Sequence, residues 1–482
     1  MMTPQQYEES LEKLNYCVYM LGKKISHVAS NPILRPSRNA VAKTYEMAQR
    51  PEHEELMTAV SHLSGRRINR FTHVFQNSRD LVLKSKMGRL LGGHTGCCFQ
   101  RCVGMDALNV MSIITYDIDR AKGSSYNPRF LKFVSQVQEN DWVVDGAMTD
   151  PKGDRSLPPH QQADPDLFLH VVQERKDGIV VRGAKAHQTG PLNSHQILVM
   201  PTLTMREADK AYAVSFATPA DTPGITYILG RQSCDTRKLE ENAMDNGNLY
   251  YGGHEALMIF DDVFVPWERV FMKGEYEFSG PLVEKFTAYH RQSYACKVGV
   301  GDVLIGATQT IAEYNGVEKA SHVKDKIVEM NHLNESLFCG TLACAYEGRA
   351  EASGTFIVDS LMANVFKHNI TQYPYILARL AQDIAGGLMV TLPSEADFRS
   401  PETGPLMTKY YQGVKGVDTE HRMRMLRLIE AMTLGAQAVG YLTESMHGAG
   451  SPQAQRIMIA RLVNMKAKQI LAKRLCGIEP LD

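Results

Sequence analysis

The sequence predicts an α+β chain in three consecutive blocks, helical, then β-rich, then helical again, and three observations carry that reading. Apolar residues recur at three- and four-residue steps up to about residue 140. Short β-branched and aromatic runs set between Gly, Pro, Asp and Asn clusters follow, and from about Gly280 the helical period returns in long segments. The expected divisions are an N-terminal helical domain over 1–141, a β domain over 142–279 and a C-terminal helical domain over 280–482.

In the first block Tyr7, Leu11, Leu14, Val18 and Leu21 share one helical face, and 105–119 has the same period. In the second, the runs 179–182, 197–200, 213–216 and 258–260 are expected strands of a compact antiparallel β domain. In the third, helices are expected over 282–300, 302–314, 319–349, 352–368, 373–387, 418–446 and 452–474, with Pro401-Glu402-Thr403-Gly404-Pro405 as a loop. There is no internal repeat and no low-complexity tract.

Composition narrows the function. The 482 residues carry 53 basic and 53 acidic side chains, so no electrostatic footprint for nucleic acid or an anionic membrane surface is present. No run reaches about 18 apolar residues, and the N-terminus lacks the apolar core and cleavage site of a signal peptide. A soluble cytoplasmic protein is expected. Nine cysteines, at 17, 97, 98, 102, 234, 296, 339, 344 and 476, are an odd number in such a chain, which argues against a disulfide framework.

Three constellations could carry chemistry. In Cys97-Cys98-Phe99-Gln100-Arg101-Cys102, a helix would place Cys98 and Cys102 on one face, as two thiolates sharing a metal centre need. Taken alone the pair reads more simply as two small buried apolar side chains, because no second C-x2-C or H-x3-H accompanies it. In Tyr289-His290-Arg291-Gln292-Ser293-Tyr294-Ala295-Cys296-Lys297, Tyr294 and Lys297 share the helical face of His290. That segment reads either as a reactive cluster or as an amphipathic helix with a hydrogen-bonded core histidine. The third is the pair of turns 148–156 and 183–190, whose backbone N–H, hydroxyl and basic groups suit a polar cofactor ring and pyrophosphate, or are ordinary surface turns. No G-x-S-x-G elbow occurs, and Gly299-Val300-Gly301 opens no dinucleotide fingerprint.

Together these motifs resemble the 4-hydroxybutyryl-CoA dehydratases, within the flavin-dependent 4-hydroxyphenylacetate hydroxylase superfamily. The resemblance runs nearly end to end and is densest in CFQRCVGMDA, GAMTDPKGDR, VVRGAKAHQTG, GRQSCDTRK, YHRQSY, CKVGVGD, DIAGGLMVT, PSEADF and ESMHGAGSPQAQRIMIAR. It implies an acyl-CoA dehydrogenase-like fold with a middle β-barrel and a C-terminal helical bundle, and a homotetramer holding FAD and a [4Fe-4S] cluster. The cluster ligands it implies are Cys98, Cys102, Cys296 and His290.

The implied reaction dehydrates 4-hydroxybutyryl-CoA to crotonyl-CoA through a ketyl radical, with vinylacetyl-CoA Δ-isomerase activity alongside. His290 would be the base at C2, Tyr294 and Glu444 would serve proton transfer and the leaving group, and Glu255, Gln100, Thr189 and Lys297 would line the substrate site. Thr149, Asp150, Arg155 and Thr189 are the implied flavin contacts, with Gly386 and Gly387 reaching FAD across a subunit interface.

One departure bears on the cluster. The family motif has two glycines between the tyrosine and the third cysteine, whereas this chain has only Ala295, so His290 and Cys296 are six residues apart instead of seven. On an ideal helix that changes their angular separation from about 20° to about 120°. A local 3₁₀ or π distortion, altered ligation, or a cluster-free flavoenzyme would each accommodate it. All four ligand residues are present, which favours retained ligation. The alternatives are a cluster-free monooxygenase or acyl-CoA oxidoreductase and, from another class, a catalytically silent subunit that binds no flavin.

Overall fold

The computed structural model describes residues 1–233, 236–240 and 243–480; Cys234 lies outside the described residues. Its β-rich middle forms two sheets. The six-stranded sheet runs Lys23–Ile25, Cys17–Met20, Ile225–Leu229, Glu255–Pro266, Gly178–Thr189, His170–Glu174, and the four-stranded sheet runs Val270–Lys273, Val214–Pro219, Gln196–Val199, Val144–Ala147. Among the described residues neither sheet closes on itself, so two open sheets stand where a barrel was expected. Helices cover edges that closure would have paired. Phe130 and Phe133 of helix Tyr126–Asn140 lie 5.1 and 5.6 Å from Phe271 of the edge strand Val270–Lys273.

The first block is not wholly helical. Cys17–Met20 and Lys23–Ile25 form a hairpin that joins the six-stranded sheet through a parallel pairing of Cys17–Met20 with Ile225–Leu229. Leu21 and Gly22 turn the hairpin at φ 51° and 77°, the two positive values that a tight two-residue hairpin turn requires. Val18 is fully buried on either reading, which is why its spacing also fits a helix.

In the third block the expected helix over 282–300 is two helices, Ser279–Ser293 and Ala295–Tyr314, broken at Tyr294, and no break falls at Gly301. The segment 352–368 begins instead with a short hairpin, Arg349–Ala350 against Phe356–Ile357, before helix Ser360–Ile370. The long helix expected over 418–446 ends at Thr433, and a π turn, Val439–Thr443, leads into the short helix Glu444–His447. No helix among the described residues is long and apolar enough to cross a membrane.

Glycine decides how closely the central helices approach. A Cβ on Gly92 of helix Ser78–Thr95 would overlap the carbonyl oxygen of Cys296, and one on Gly299 would overlap the carbonyl oxygen of Arg89. The two helices therefore touch backbone to backbone. Gly104 of helix Cys102–Lys122 meets the Val144 carbonyl in the same way, so this buried helix lies directly on the edge strand Val144–Ala147.

The seam makes a paired prediction. Gly92→Ala forces the helices apart and is expected to lower stability by about 3 kcal/mol. Gly93→Ala, whose Cβ would meet only the Gly299 carbonyl at 3.8 Å, is expected to be neutral or to raise stability by up to about 1 kcal/mol through helix propensity. Thermal melts of the two variants check this; equal melting points would contradict it.

Candidate active site

Helix Ser78–Thr95 ends at Gly96 in the left-handed conformation, and the chain then runs as a loop through Cys97 and Cys98 until Cys102 opens the next helix. Cys98 and Cys102 thus belong to a loop and a helix start, not to two turns of one helix. Gln100 shapes the loop: at φ 53° it sends its amide to the His254 backbone, donating to the carbonyl at 2.8 Å and accepting from the N–H at 3.3 Å. Gly190 and Gly253 leave room for it, since added Cβ atoms would stand 2.7 and 2.9 Å from its side chain. Arg101 turns the other way, with its guanidinium 4.5 Å from the Tyr45 ring and 4.4 Å from the Phe71 ring.

The loop meets the start of helix Ala295–Tyr314. The Cys296 thiol lies within hydrogen-bonding reach of both Cys98 and Cys102. The contact with Cys102, ahead of burial, holds the Cys296 thiol well above its ordinary pKa, and the contact with Cys296 does the same to Cys98. Burial pushes neighbouring Cys97 up to about 12. Three thiols from separate segments share one pocket. Among the described residues, however, no group of three or more His, Cys, Asp or Glu side chains is arranged to hold a single metal ion.

The break at Tyr294 answers the shortened spacing. Tyr294 has ψ near 0°, its N–H bonds to the Arg291 carbonyl at 3.2 Å, and its own carbonyl accepts from Lys297 N at 2.9 Å. These are three-residue closures, tighter than α-helical ones. His290 and Cys296 therefore sit on different helices, and the separation of about 120° for one continuous helix does not apply. His290 stands edge-on to the Tyr294 ring at 5.6 Å and stacks on Phe286 at 5.5 Å.

A buried carboxylate orients the histidine. His290 Nδ1 lies 2.9 Å from Asp106 Oδ2, which also accepts from Ser293 Oγ at 2.7 Å, while Asp106 Oδ1 accepts from Lys84 Nζ at 2.7 Å. Burial alone would raise Asp106, yet Lys84 and His290 together hold it below the usual carboxylate range. With Nδ1 engaged, Nε2 is the ring nitrogen left for a ligand or a proton.

On the other side, Lys297 Nζ donates to the Gly440 carbonyl at 2.7 Å and pairs with Glu444 Oε2 at 3.2 Å, and the Tyr294 hydroxyl donates to the Glu444 carbonyl at 3.1 Å. The π turn Val439–Thr443 presents Gly440 to Lys297. Burial disfavours the Lys297 ammonium, but Glu444, Cys98 and Cys296 outweigh it and raise its pKa well above the ordinary value. Glu255, at the start of its strand, accepts from Thr189 Oγ1 at 2.8 Å; burial first, then Glu444, pushes its carboxyl well up. The pocket therefore sets an ammonium–carboxylate couple beside a carboxyl whose pKa is raised by burial and by Glu444.

The two cofactor turns also meet. The Thr149 carbonyl accepts from Ala186 N at 2.9 Å and Gln188 Nε2 at 3.2 Å, and buried Asp150 pairs with buried Lys185 at 2.7 Å. Thr189 ends the same strand, beside Glu255. Arg155 is exposed on the first turn. Gly386 and Gly387 follow helix Tyr373–Ala385, where an added Cβ on either would meet open space.

Sequence reasoning missed Asp106 and Lys84. The signal was available: Asp106 stands four residues after Cys102, and an uncompensated carboxylate within an apolar helical stripe is expensive unless partnered. The run His447-Gly448-Ala449-Gly450, which reads in the sequence as helix-end or close-approach glycines, does provide a close approach: a Cβ on Gly448 would overlap the Tyr294 hydroxyl.

Comparison with known proteins sets this geometry in context. A family model described as 4-hydroxyphenylacetate 3-hydroxylase N terminal matches residues 3–272, and its C-terminal counterpart matches residues 279–477. A Clostridium aminobutyricum protein named 4-hydroxybutyryl-CoA dehydratase/vinylacetyl-CoA-Delta-isomerase is 58% identical over 489 residues, covering 99% of this chain and 100% of that one. The solved structure of an oxygen-tolerant archaeal 4-hydroxybutyryl-CoA dehydratase from N. maritimus superposes with a TM-score of 0.97 at 56% identity, covering 99% of this chain and 95% of that one. The oxygenase component of a 4-hydroxyphenylacetate 3-monooxygenase, solved with FAD, shares the fold at TM-score 0.87 and 23% identity, covering 99% of this chain and 100% of that one.

The buried ion pair is testable by a double-mutant cycle. Asp106→Ala leaves Lys84 as an unpaired buried cation, and urea unfolding is expected to show a loss of about 3–5 kcal/mol, largely recovered when Lys84→Met is added. A loss below about 1 kcal/mol in the single variant would contradict the pairing.

Proposed function

The chain belongs to the 4-hydroxyphenylacetate 3-hydroxylase family, and from that premise we propose that it removes water from 4-hydroxybutyryl-CoA to give crotonyl-CoA and also isomerises vinylacetyl-CoA. The observation that carries the reading is 58% identity along the whole length of a dehydratase/isomerase, against 23% for the monooxygenase component of the same fold. The substrate class is a CoA thioester.

The physical difficulty of the reaction is that the thioester acidifies the C2 hydrogen and not the one on C3, so proton transfer alone does not suffice. When bound, FAD supplies one-electron chemistry and a [4Fe-4S] cluster supplies a Lewis-acidic iron for the leaving hydroxyl. Cys98, Cys102 and Cys296 are the proposed thiolate ligands, with His290 through Nε2 as the fourth. Their support is the soft donor set gathered in one pocket and the Asp106 bond that commits Nδ1. Thr149, Asp150, Arg155 and Thr189 are the proposed flavin contacts, supported by the pairing of their two turns, with Gly386 and Gly387 of a neighbouring subunit completing the site.

The chain's own residues divide the proton work. His290 takes the C2 proton, held in one tautomer by Asp106. Tyr294 and Glu444 hold a proton at the leaving oxygen, with Lys297 anchoring Glu444. Glu255, bonded to Thr189, and Lys297 orient the thioester, while Gln100 fixes the loop that carries the first thiols.

The domain divisions 1–141, 142–279 and 280–482 remain our reading of an acyl-CoA dehydrogenase-like layout, with the N-terminal hairpin lent to the β domain. A cytoplasmic homotetramer is the proposed assembly. Its support is the apolar surface of the C-terminal helices, where Leu471, Leu475 and Ile478 are 61, 86 and 71% exposed.

Anaerobically purified protein is expected to convert 4-hydroxybutyryl-CoA to crotonyl-CoA, and hydroxylation of a phenol in place of dehydration would overturn the reading. His290→Ala is expected to abolish exchange of the substrate's C2 hydrogen in D₂O with flavin still bound. Unchanged exchange would remove His290 from the role of base.

A further inference from the structure

Tyr294 is gripped by a residue that the mechanism above does not use. Lys367, on helix Ser360–Ile370, is fully buried, and its Nζ stands 4.7 Å from the centre of the Tyr294 ring. The same amine donates to the Ser445 carbonyl at 2.8 Å, one residue beyond the Glu444 carbonyl that accepts the Tyr294 hydroxyl. Among the described residues no carboxylate lies within ion-pair distance of it. A lysine in that position is costly to the fold and is tolerated where it serves a site.

We propose that Lys367 is a positioning residue for proton delivery at the leaving hydroxyl: it locks the ring of Tyr294 and the turn bearing Glu444 into one unit, without touching the proton removed at C2. The proposal rests on the dehydratase reading and deepens it.

Three features support the division of labour. Lys367 reaches the acid side of the pocket through both of its contacts, the Tyr294 ring and the Ser445 carbonyl. The base side has its own anchor: His290 meets the Tyr294 ring edge-on at 5.6 Å, but its orientation is set by the bond from Nδ1 to Asp106, which Lys84 pairs. The seat of the Tyr294 hydroxyl is tight, since only a glycine at 448 leaves room for it, so a small rotation of the ring would break the bond to Glu444. Around the amine stand Arg291 from helix Ser279–Ser293, Lys297 from helix Ala295–Tyr314 and Glu444. Burial, Arg291 and Lys297 lower its pKa to about 7 against the pull of Glu444. A cation over an aromatic face attracts the ring while charged, and the amine still donates to Ser445 when neutral.

The test compares wild-type holoenzyme with Lys367→Met, Lys367→Gln and Lys367→Arg, all purified anaerobically, reading kcat and KM for dehydration, C2 hydrogen exchange in D₂O and bound flavin. In Lys367→Met, kcat is expected to fall about 100-fold while KM, exchange and flavin content stay within about twofold. Lys367→Arg, which keeps the cation, is expected to recover to within about tenfold of wild type. If Lys367→Met does not fold, Lys367→Gln, which keeps a donor for Ser445, carries the same expected split. Parallel loss of exchange and dehydration, or no loss of dehydration, would overturn the proposal. A wild-type enzyme that exchanges C2 hydrogen but never dehydrates would overturn the dehydratase reading instead.

Discussion

Where Gly92 meets the carbonyl of Cys296, two helices touch with no side chain between them, and the position of the candidate site follows from that contact. Helix Ser78–Thr95 leads into the loop bearing Cys97 and Cys98, while helix Ala295–Tyr314 carries Cys296 in its first turn. Pressing the helices together sets the third thiol against the first two. The interior here is packed too closely to absorb an added methyl group, so the seam behaves as a rigid gauge.

Charge then divides the pocket into two halves. On one side, Lys84 and Asp106 form a buried pair whose remaining carboxylate oxygen fixes His290. On the other, Lys297, Glu444 and Tyr294 form a second unit with its own hydrogen bonds, meeting the first where the Tyr294 ring stands edge-on to His290 at 5.6 Å. Buried ion pairs contribute little net stability, but breaking one strands a charge, so both units hold their geometry firmly. The proposed reaction removes a proton at one carbon and releases a hydroxyl two carbons away, and separate hydrogen-bonded anchors for His290 and Tyr294 suit that division.

Much of this was legible in the sequence. The order of helical and β-rich blocks followed from periodicity, and the family followed from long motif matches; the ligand and proton-transfer roles carried over with it are the proposals made above. What escaped had specific physical reasons. Val18 is buried whether its segment is strand or helix, so only the Leu21–Gly22 turn could have revealed the hairpin. The break at Tyr294 takes the form of the 3₁₀ distortion that the shortened spacing had offered as one of three outcomes, but no proline or glycine marked its position. Sheet closure depends on distant pairings that short strands do not encode, and the helix bearing Phe130 and Phe133 packs against an edge strand. The roles of Asp106 and Lys367 could not be assigned because their partners lie far away in sequence, although a carboxylate within an apolar helical stripe already marked Asp106.

The central claim is that Cys98, Cys102, Cys296 and His290 hold a cluster in spite of the shortened segment beside Ala295. Iron and acid-labile sulfide, measured per subunit on anaerobically purified protein, test it most directly. About four of each is the predicted result. Fewer than about two irons per subunit, in protein that retains its flavin, would contradict it.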